Sequence, residues 1–460
     1  MDEEILSYWD LILPPLYILV IFIIADLIQK RYIQENPVYK YFKIGLLGKI
    51  LGGVGLGLVY HFYYGGGDTD IYFKGSITML KLFSKSQEAF FSIMGDNRTR
   101  ENYSEFDSDT GWPLYYGDSN SFSVIRFTTF FQIFSFRSYF VTTVILSAIS
   151  YFGTWRLFLL FCEIFPSLAN QFKYTILLVP SVLFWGSGIL KDTYTLMGAC
   201  WFTYSFYKVF IKREKVLMNT IAMLLMAYLV IKIKPYIFIA LMPGALIWLS
   251  FERVKDMKNW ILKILVGPVL LVFTLSMGYL ALKTMGSGLG QYSSKTNILN
   301  KAKITQEDLK KDFYGGNSFD IGEFDASIGG VLSKLPEAIT AGLFRPFLWE
   351  SKNGVMVLAA LENSILMFLT IFLLFKLGVY RFYKVISQEP ILFFSVIFSL
   401  FFAFSVGLTT SNYGSMVRYK IPAVPFYLSS LIIINDFYKK KRNIAKAELA
   451  AIKLKGGIKN

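Results

Sequence analysis

The sequence predicts an all-α polytopic membrane protein, and three observations carry that prediction. The 460 residues are 54% hydrophobic and only 17% charged, with a mean hydropathy of +0.47, whereas soluble domains carry roughly a quarter charged residues. Apolar stretches long enough to cross a bilayer recur along the whole chain. The lysines and arginines behind the net charge of +15 sit in short clusters between those stretches, as orienting charges do. The same scatter argues against nucleic acid as a partner, because a nucleic-acid surface gathers its basic residues on one face.

About eleven spans are expected from windows of roughly twenty apolar residues. They fall near 11–28, 44–63, 139–163, 174–188, 193–210, 216–232, 236–251, 261–281, 355–375, 390–409 and 421–435. The start, "MDEEILSYWD", is acidic where a signal peptide is basic, so the first span is expected to be retained as a membrane helix. Basic clusters follow alternate spans: Lys30, Arg31, Lys40 and Lys43; Lys208, Lys212, Arg213 and Lys215; Arg253, Lys255 and Lys258; Lys376, Arg381 and Lys384; then "KKKR" at 439–442. With the acidic N-terminus outside, every cluster falls on the cytoplasmic side, and so does the C-terminus.

This topology makes 1–460 a single transmembrane domain with two long outer loops, 64–138 and 282–354, and a basic cytoplasmic tail, 436–460. The stretch "SFSVIRFTTFFQIFSF" (121–136) breaks its apolar run with Arg126 and Gln132, which predicts a helix lying in the membrane interface.

The unusual polar residues collect on the outer face. Asp68 and Asp70 follow the second span in "YYGGGDTDIYF"; Lys191 and Asp192 lie in "FWGSGILKDTY"; Lys232 and Lys234 lie in "IKIKPY"; Arg345 lies in "LFRPFLWESKN"; Arg418 and Tyr419 lie in "NYGSMVRYKIPAVPF". Basic side chains on that face suit an anion, above all a lipid phosphate, because arginine offers a fork and lysine a point charge. The alternative is local pairing, Lys191 with Asp192 and Arg345 with Glu350, or snorkelling to headgroups. The three glycines let the chain bend as it leaves the bilayer, and a carboxylate there suits a general base. At i and i+2 of an extended segment the two aspartates point apart, so one of them acts, and Asp68 lies nearer the bend. An ordinary Gly/Asp turn is the competing reading. Glu362, inside the ninth span, is expected to face the interior, contacting substrate or pairing with a base such as Arg345.

Other chemistry is constrained by composition. Cys162 and Cys200 lie in apolar segments, and His61 is the sole histidine, so a disulfide framework, a His-rich metal site or a His-based triad is not expected. A divalent cation at Asp68 and Asp70 is a weak possibility on two carboxylates. No nucleotide fingerprint is present.

The acidic residue in the first long outer loop ("GGGDTDIYF"), the interfacial helices after it and "RYKIPAVPF" before the last span resemble the GT-C superfamily of integral membrane glycosyltransferases. The last motif is similar to a stretch in protein mannosyltransferase and aminoarabinose transferase relatives. The resemblance implies a polyprenyl-phosphate-linked sugar as donor, a glycan, lipid or protein as acceptor, and an inner-membrane location with the site on the outer face. It also implies Asp68 as catalytic base and Arg418 near the lipid phosphate, with membrane lipids as further partners. The chain departs from the pattern in placing two spans, not one, before the acidic loop. Three other readings compete. A polysaccharide repeat-unit polymerase or ligase would lean on outer arginines. A flippase or transporter would need polar groups spread through the midplane, and the expected spans are nearly free of charge apart from Arg156, Glu163 and Glu362. A purely structural envelope subunit is the third.

Overall fold

A computed structural model describes residues 5–255, 318–319, 321–322 and 328–456. Among these residues the chain is helical, with one isolated bridge between Ser318 and Asn412. The first twelve helices are α1 (Trp9–Tyr32), α2 (Phe42–Leu58), α3 (Asp68–Lys85), α4 (Gln87–Met94), α5 (Arg100–Ser104), α6 (Ser119–Gln132), α7 (Tyr139–Ile164), α8 (Ala169–Phe172), α9 (Pro180–Trp185), α10 (Lys191–Phe206), α11 (Val216–Ile233) and α12 (Pro235–Lys255). The remainder are α13 (Ile328–Ser333), α14 (Leu335–Phe344), α15 (Gly354–Leu377), α16 (Val379–Gln388), α17 (Pro390–Thr409), α18 (Tyr413–Tyr419) and α19 (Val424–Gly456). The protein is therefore a polytopic α-helical membrane protein.

The span pattern is less regular than eleven full crossings. Among the described residues six helices are long and apolar enough to cross a membrane: α1, α2 with its preceding and following turns (Pro37–Tyr63), α7, α11, α15 and α17. The bent pair α18 and α19, kinked by 67°, makes a seventh if it is one span. Three expected spans take other forms. Residues 174–188 break into a π-helical turn (Lys173–Leu177) and the short α9, because Pro180 starts a new helix and Gly186 and Gly188 follow it. Residues 193–210 form α10 and a π-helical turn (Tyr207–Lys212), whose many Thr, Ser and Tyr lower its apolar content. Residues 236–251 form α12, whose apolar part is short, Pro235–Phe251. The expected span at 261–281, and most of the expected loop 282–354, lie outside the described residues.

Loop 64–138 is folded into the four helices α3 to α6. The stretch expected as an interfacial helix forms α6, most of which packs into the core: Phe122, Val124, Ile125 and Arg126 are buried, while Phe130 near its end and Phe134 beyond it are exposed. It packs on α3, α7 and α11. Helix starts are set by side chains: Asp118 accepts from the backbone N of Asn120 (3.0 Å), and Asn353 from that of Met356 (2.9 Å). At the start of α7, Asp10 of α1 accepts from Ser138 Oγ (2.6 Å) and the Phe140 backbone N (2.9 Å). That bond fixes the first residues of α1 and α7 at the same end of the bundle.

Helix α10 is buried along almost its whole length between α7 and α11. Helix α14 crosses α17 where Gly342 faces Ala403 and Gly407 faces Ala338; a methyl at either glycine would overlap the facing carbonyl. Lys49, wholly buried in α2, donates to the Gly186 carbonyl and so anchors the broken segment. The second expected span thus carries an ionisable side chain that the sequence reading of the spans omits. The tail expected at 436–460 continues α19 as far as Gly456.

Candidate functional site

Helix α2 ends in a π-helical turn (Val59–Tyr63), and Gly65, Gly66 and Gly67 then take φ values of +69°, +122° and +146°. Residues with a Cβ rarely adopt such angles, so this run reverses the chain and starts α3 at Asp68. The segment is helical rather than extended. Two steps of about 100° still turn Asp68 and Asp70 to opposite sides, while both enjoy the positive end of the helix dipole.

Asp68 faces the bundle. Its Oδ2 accepts from Arg418 Nη2 at 2.7 Å and its Oδ1 from the Tyr115 hydroxyl at 3.0 Å. Arg418 then donates through Nε to Asp192 Oδ2 at 2.7 Å and through Nη1 to the Tyr60 hydroxyl at 3.1 Å. Lys234 donates to the other oxygen of Asp192, which is wholly buried, and its ammonium stands 4.4 Å from the centre of the Tyr419 ring. Lys191 lies 3.7 Å from Asp118, not on its neighbour Asp192. Three cations and three carboxylates, drawn from α3, the loop before α6, α10, the α11–α12 junction and α18, therefore form one neutral cluster.

The charges in the cluster set its acidity. Burial raises the Asp68 carboxyl, but Arg418 and the Tyr115 hydroxyl outweigh it and hold the group below the usual carboxylate range. Burial pushes Asp70 the other way, above that range, and His61, whose Nδ1 lies 3.7 Å from it, offsets only part. Burial lowers Lys191, opposed by Asp118 and Asp68. It brings Lys234 down to about 8 against the pull of Asp192.

Beside Arg418 opens a cavity of ≈260 Å³. Tyr60, Tyr64 and Trp185 give it aromatic walls, and Asn353, Asn412 and Ser415 give it polar ones. Such a lining suits a ring with hydroxyl groups, which stacks through its C–H face and hydrogen-bonds at its edge.

Three expected site residues lie elsewhere. Lys232 donates to Asp96 at 2.8 Å, in a cluster with Arg98 (3.4 Å) and Arg126 (3.1 Å), because residues two apart at the end of α11 leave on different sides. Arg345 is held by both oxygens of Glu350 and donates to the Tyr413 hydroxyl at 3.2 Å, which is the local pairing. Glu362 does not pair with Arg345; it accepts from the Ser181 backbone N (2.9 Å) and hydroxyl (2.5 Å), capping α9. Tyr60, Tyr115, Asp118 and Trp185 are site residues that the sequence reading missed. Lys420, also missed, is buried on the carbonyls of Leu343 (3.2 Å) and Arg345 (3.1 Å) and on Asn363.

A divalent cation does not fit Asp68 and Asp70. The two carboxylates diverge, Asp68 is engaged by Arg418 and Tyr115, and no group of three His, Cys, Asp or Glu forms among the described residues. Comparison of the chain with protein-family models, with curated proteins and with solved structures finds no match.

Proposed function

We propose that the protein is a membrane glycosyltransferase of the GT-C kind, moving a sugar from a polyprenyl-phosphate donor to an envelope acceptor, with Asp68 as general base. The observation that carries this reading is Arg418 joined to Asp68 and Asp192 at the edge of an aromatic-walled cavity. In the resting cluster the guanidinium is shared between two carboxylates. A phosphate in the cavity competes for the same donors and loosens Asp68, which then becomes a stronger base. The acceptor hydroxyl attacks the anomeric carbon, a C–O bond forms, and the bond from that carbon to the phosphate oxygen breaks. The phosphate leaves with the electron pair toward Arg418, and the acceptor proton passes to Asp68.

In this reading the cluster faces outward from an inner membrane and the C-terminus is cytoplasmic. Support comes from Lys30, Arg31, Lys40, Lys43 and Lys376, all at or near the helix ends away from Arg418, as cytoplasmic charges are. Eleven crossings follow if the broken segment 165–190, α10 and α12 each traverse the bilayer and 261–281 adds one more. A polymerase or ligase draws less support, since Arg345 is already held by Glu350.

The test is transfer of a radiolabelled sugar from a polyprenyl-phosphate donor to envelope extracts by the purified protein. Asp68→Asn is expected to lower the rate by roughly 100-fold or more while the protein stays folded. Full activity in that variant would remove Asp68 from the mechanism. Cysteine labelling that placed Lys191 and Lys215 on one side of the membrane would overturn the topology.

A further inference from the structure

At the other end of α2 lies a second, larger cavity, ≈1100 Å³, walled by the end of α1, the turn that follows it, α7 and the end of α10. Arg156 of α7 lines it. Its Nη1 donates to the Tyr204 hydroxyl at 3.3 Å, and its guanidinium stands 5.0 Å from the Tyr204 ring centre and 5.6 Å from that of Trp201. Among the described residues no carboxylate pairs with it, and its buried Nε has no hydrogen-bond partner.

The acids around the cavity are spoken for or lie outward. Glu163 is held by Lys208 (2.9 Å) and Lys212 (3.5 Å), and Glu214 by Lys208 (2.6 Å), while Glu35 is exposed. Lys40 and Lys215 add positive charge to the rim. A half-buried guanidinium with an idle donor is costly unless an anion completes it. Ile28, Phe152 and Leu159 supply an apolar wall beside it, and α1, which contributes Ile28, is a mostly exposed apolar helix whose outer face suits lipid.

We propose that this cavity binds the phosphate headgroup of an anionic bilayer lipid, with Arg156 as the fork for its oxygens and the apolar wall as the seat of its acyl chains. The site is separate from the Asp68 cluster and does not depend on the reaction assigned there.

Native mass spectrometry of the full chain, delipidated in detergent and titrated with phosphatidylglycerol or phosphatidylcholine, tests this. One phosphatidylglycerol is expected to bind about tenfold more tightly than phosphatidylcholine, because both offer a phosphodiester but the choline ammonium is repelled by Arg156, Lys40 and Lys215. Arg156→Gln is expected to erase that preference. If Arg156→Gln does not fold, Arg156→Lys, which keeps the charge but loses the fork, is expected to weaken phosphatidylglycerol several-fold. Equal binding of the two lipids, or undiminished phosphatidylglycerol binding in the folded variant, overturns the proposal. Displacement of the bound lipid by millimolar inorganic phosphate would overturn the lipid assignment in favour of a free anion.

Discussion

Arg418 Nη2 and Asp68 Oδ2 are 350 residues apart along the chain and 2.7 Å apart in space. The same guanidinium holds Asp192 from α10, so one side chain ties the last helices of the bundle to its first and middle ones. Arg418→Gln leaves two mostly buried carboxylates with Lys234 on Asp192, the Tyr115 hydroxyl on Asp68, and Lys191 nearby. We expect a loss of ~3–5 kcal/mol in unfolding free energy, as for breaking a buried ion pair from one side. Denaturant unfolding in detergent measures it, and a loss under 1 kcal/mol would show the cluster to be solvated.

Asp68 and Asp70 should respond to pH with opposite signs. The Asp68 carboxyl is held below its unfolded value, so its stabilisation is present above the ordinary carboxylate range and lost as pH falls through the folded value. Asp70 is raised, so its protonated form is favoured on folding, and that contribution fades as pH rises through the folded value. Asp68→Asn should therefore lower Tm at pH 7 with a deficit that shrinks in acid. Asp70→Asn should be neutral or stabilising at pH 7, with the gain shrinking in acid. Thermal unfolding between about pH 3 and pH 7 separates the two.

Tyr115→Phe removes one donor to Asp68 and leaves Arg418 in place. In the proposed transfer, with Asp68 as base, the acid limb of the kcat/KM profile should move to higher pH, with a modest change in the plateau. A purely structural tyrosine would lower Tm without moving that limb.

At the α14–α17 crossing, Gly407→Ala puts a methyl against the Ala338 carbonyl, which is backbone and cannot rotate away. The helices must part, at a cost of ~1–3 kcal/mol. Wild-type stability in this variant would mean that the crossing is looser than described.

Asp10→Ala cuts the bonds to Ser138 and Phe140 that hold the start of α1 to α7. Since α1 buries little else, its first turns should become accessible to protease before the rest of the bundle. Unchanged cleavage kinetics would indicate that lipid contacts alone hold the helix.

Much of this arrangement was legible in the sequence, for definite reasons. Apolar runs bounded by basic clusters marked α1, α2, α7, α11, α15 and α17, because length and composition alone decide whether a helix suits a bilayer. Asp68 and Arg418 were placed on one face by counting crossings, and they meet. What stayed hidden depended on packing. Tyr60 and Tyr115 are two of 29 tyrosines and carry no local mark of their role. Lys232 and Lys234 look alike in "IKIKPY", yet one turns to Asp96 and the other to Asp192. The polarity of α10 reflects its position inside the bundle, where hydroxyls return to the carbonyl one turn back, as Thr203 does to Ala199 at 2.8 Å.

The balance of three positive against three negative groups around Arg418 shapes which visitors the site admits. A neutral assembly casts little field beyond its rim, so encounter should vary weakly with ionic strength. Chloride or bicarbonate, each with one diffuse charge, cannot outbid two fixed carboxylates for the guanidinium. In the proposed transfer the donor phosphodiester likewise carries one charge, whereas the phosphomonoester released from it concentrates nearly two charges on three oxygens and competes far better for the guanidinium. On that reading the two acids would leave the arriving donor loosely held and hand the guanidinium over only as the leaving group gains its second charge.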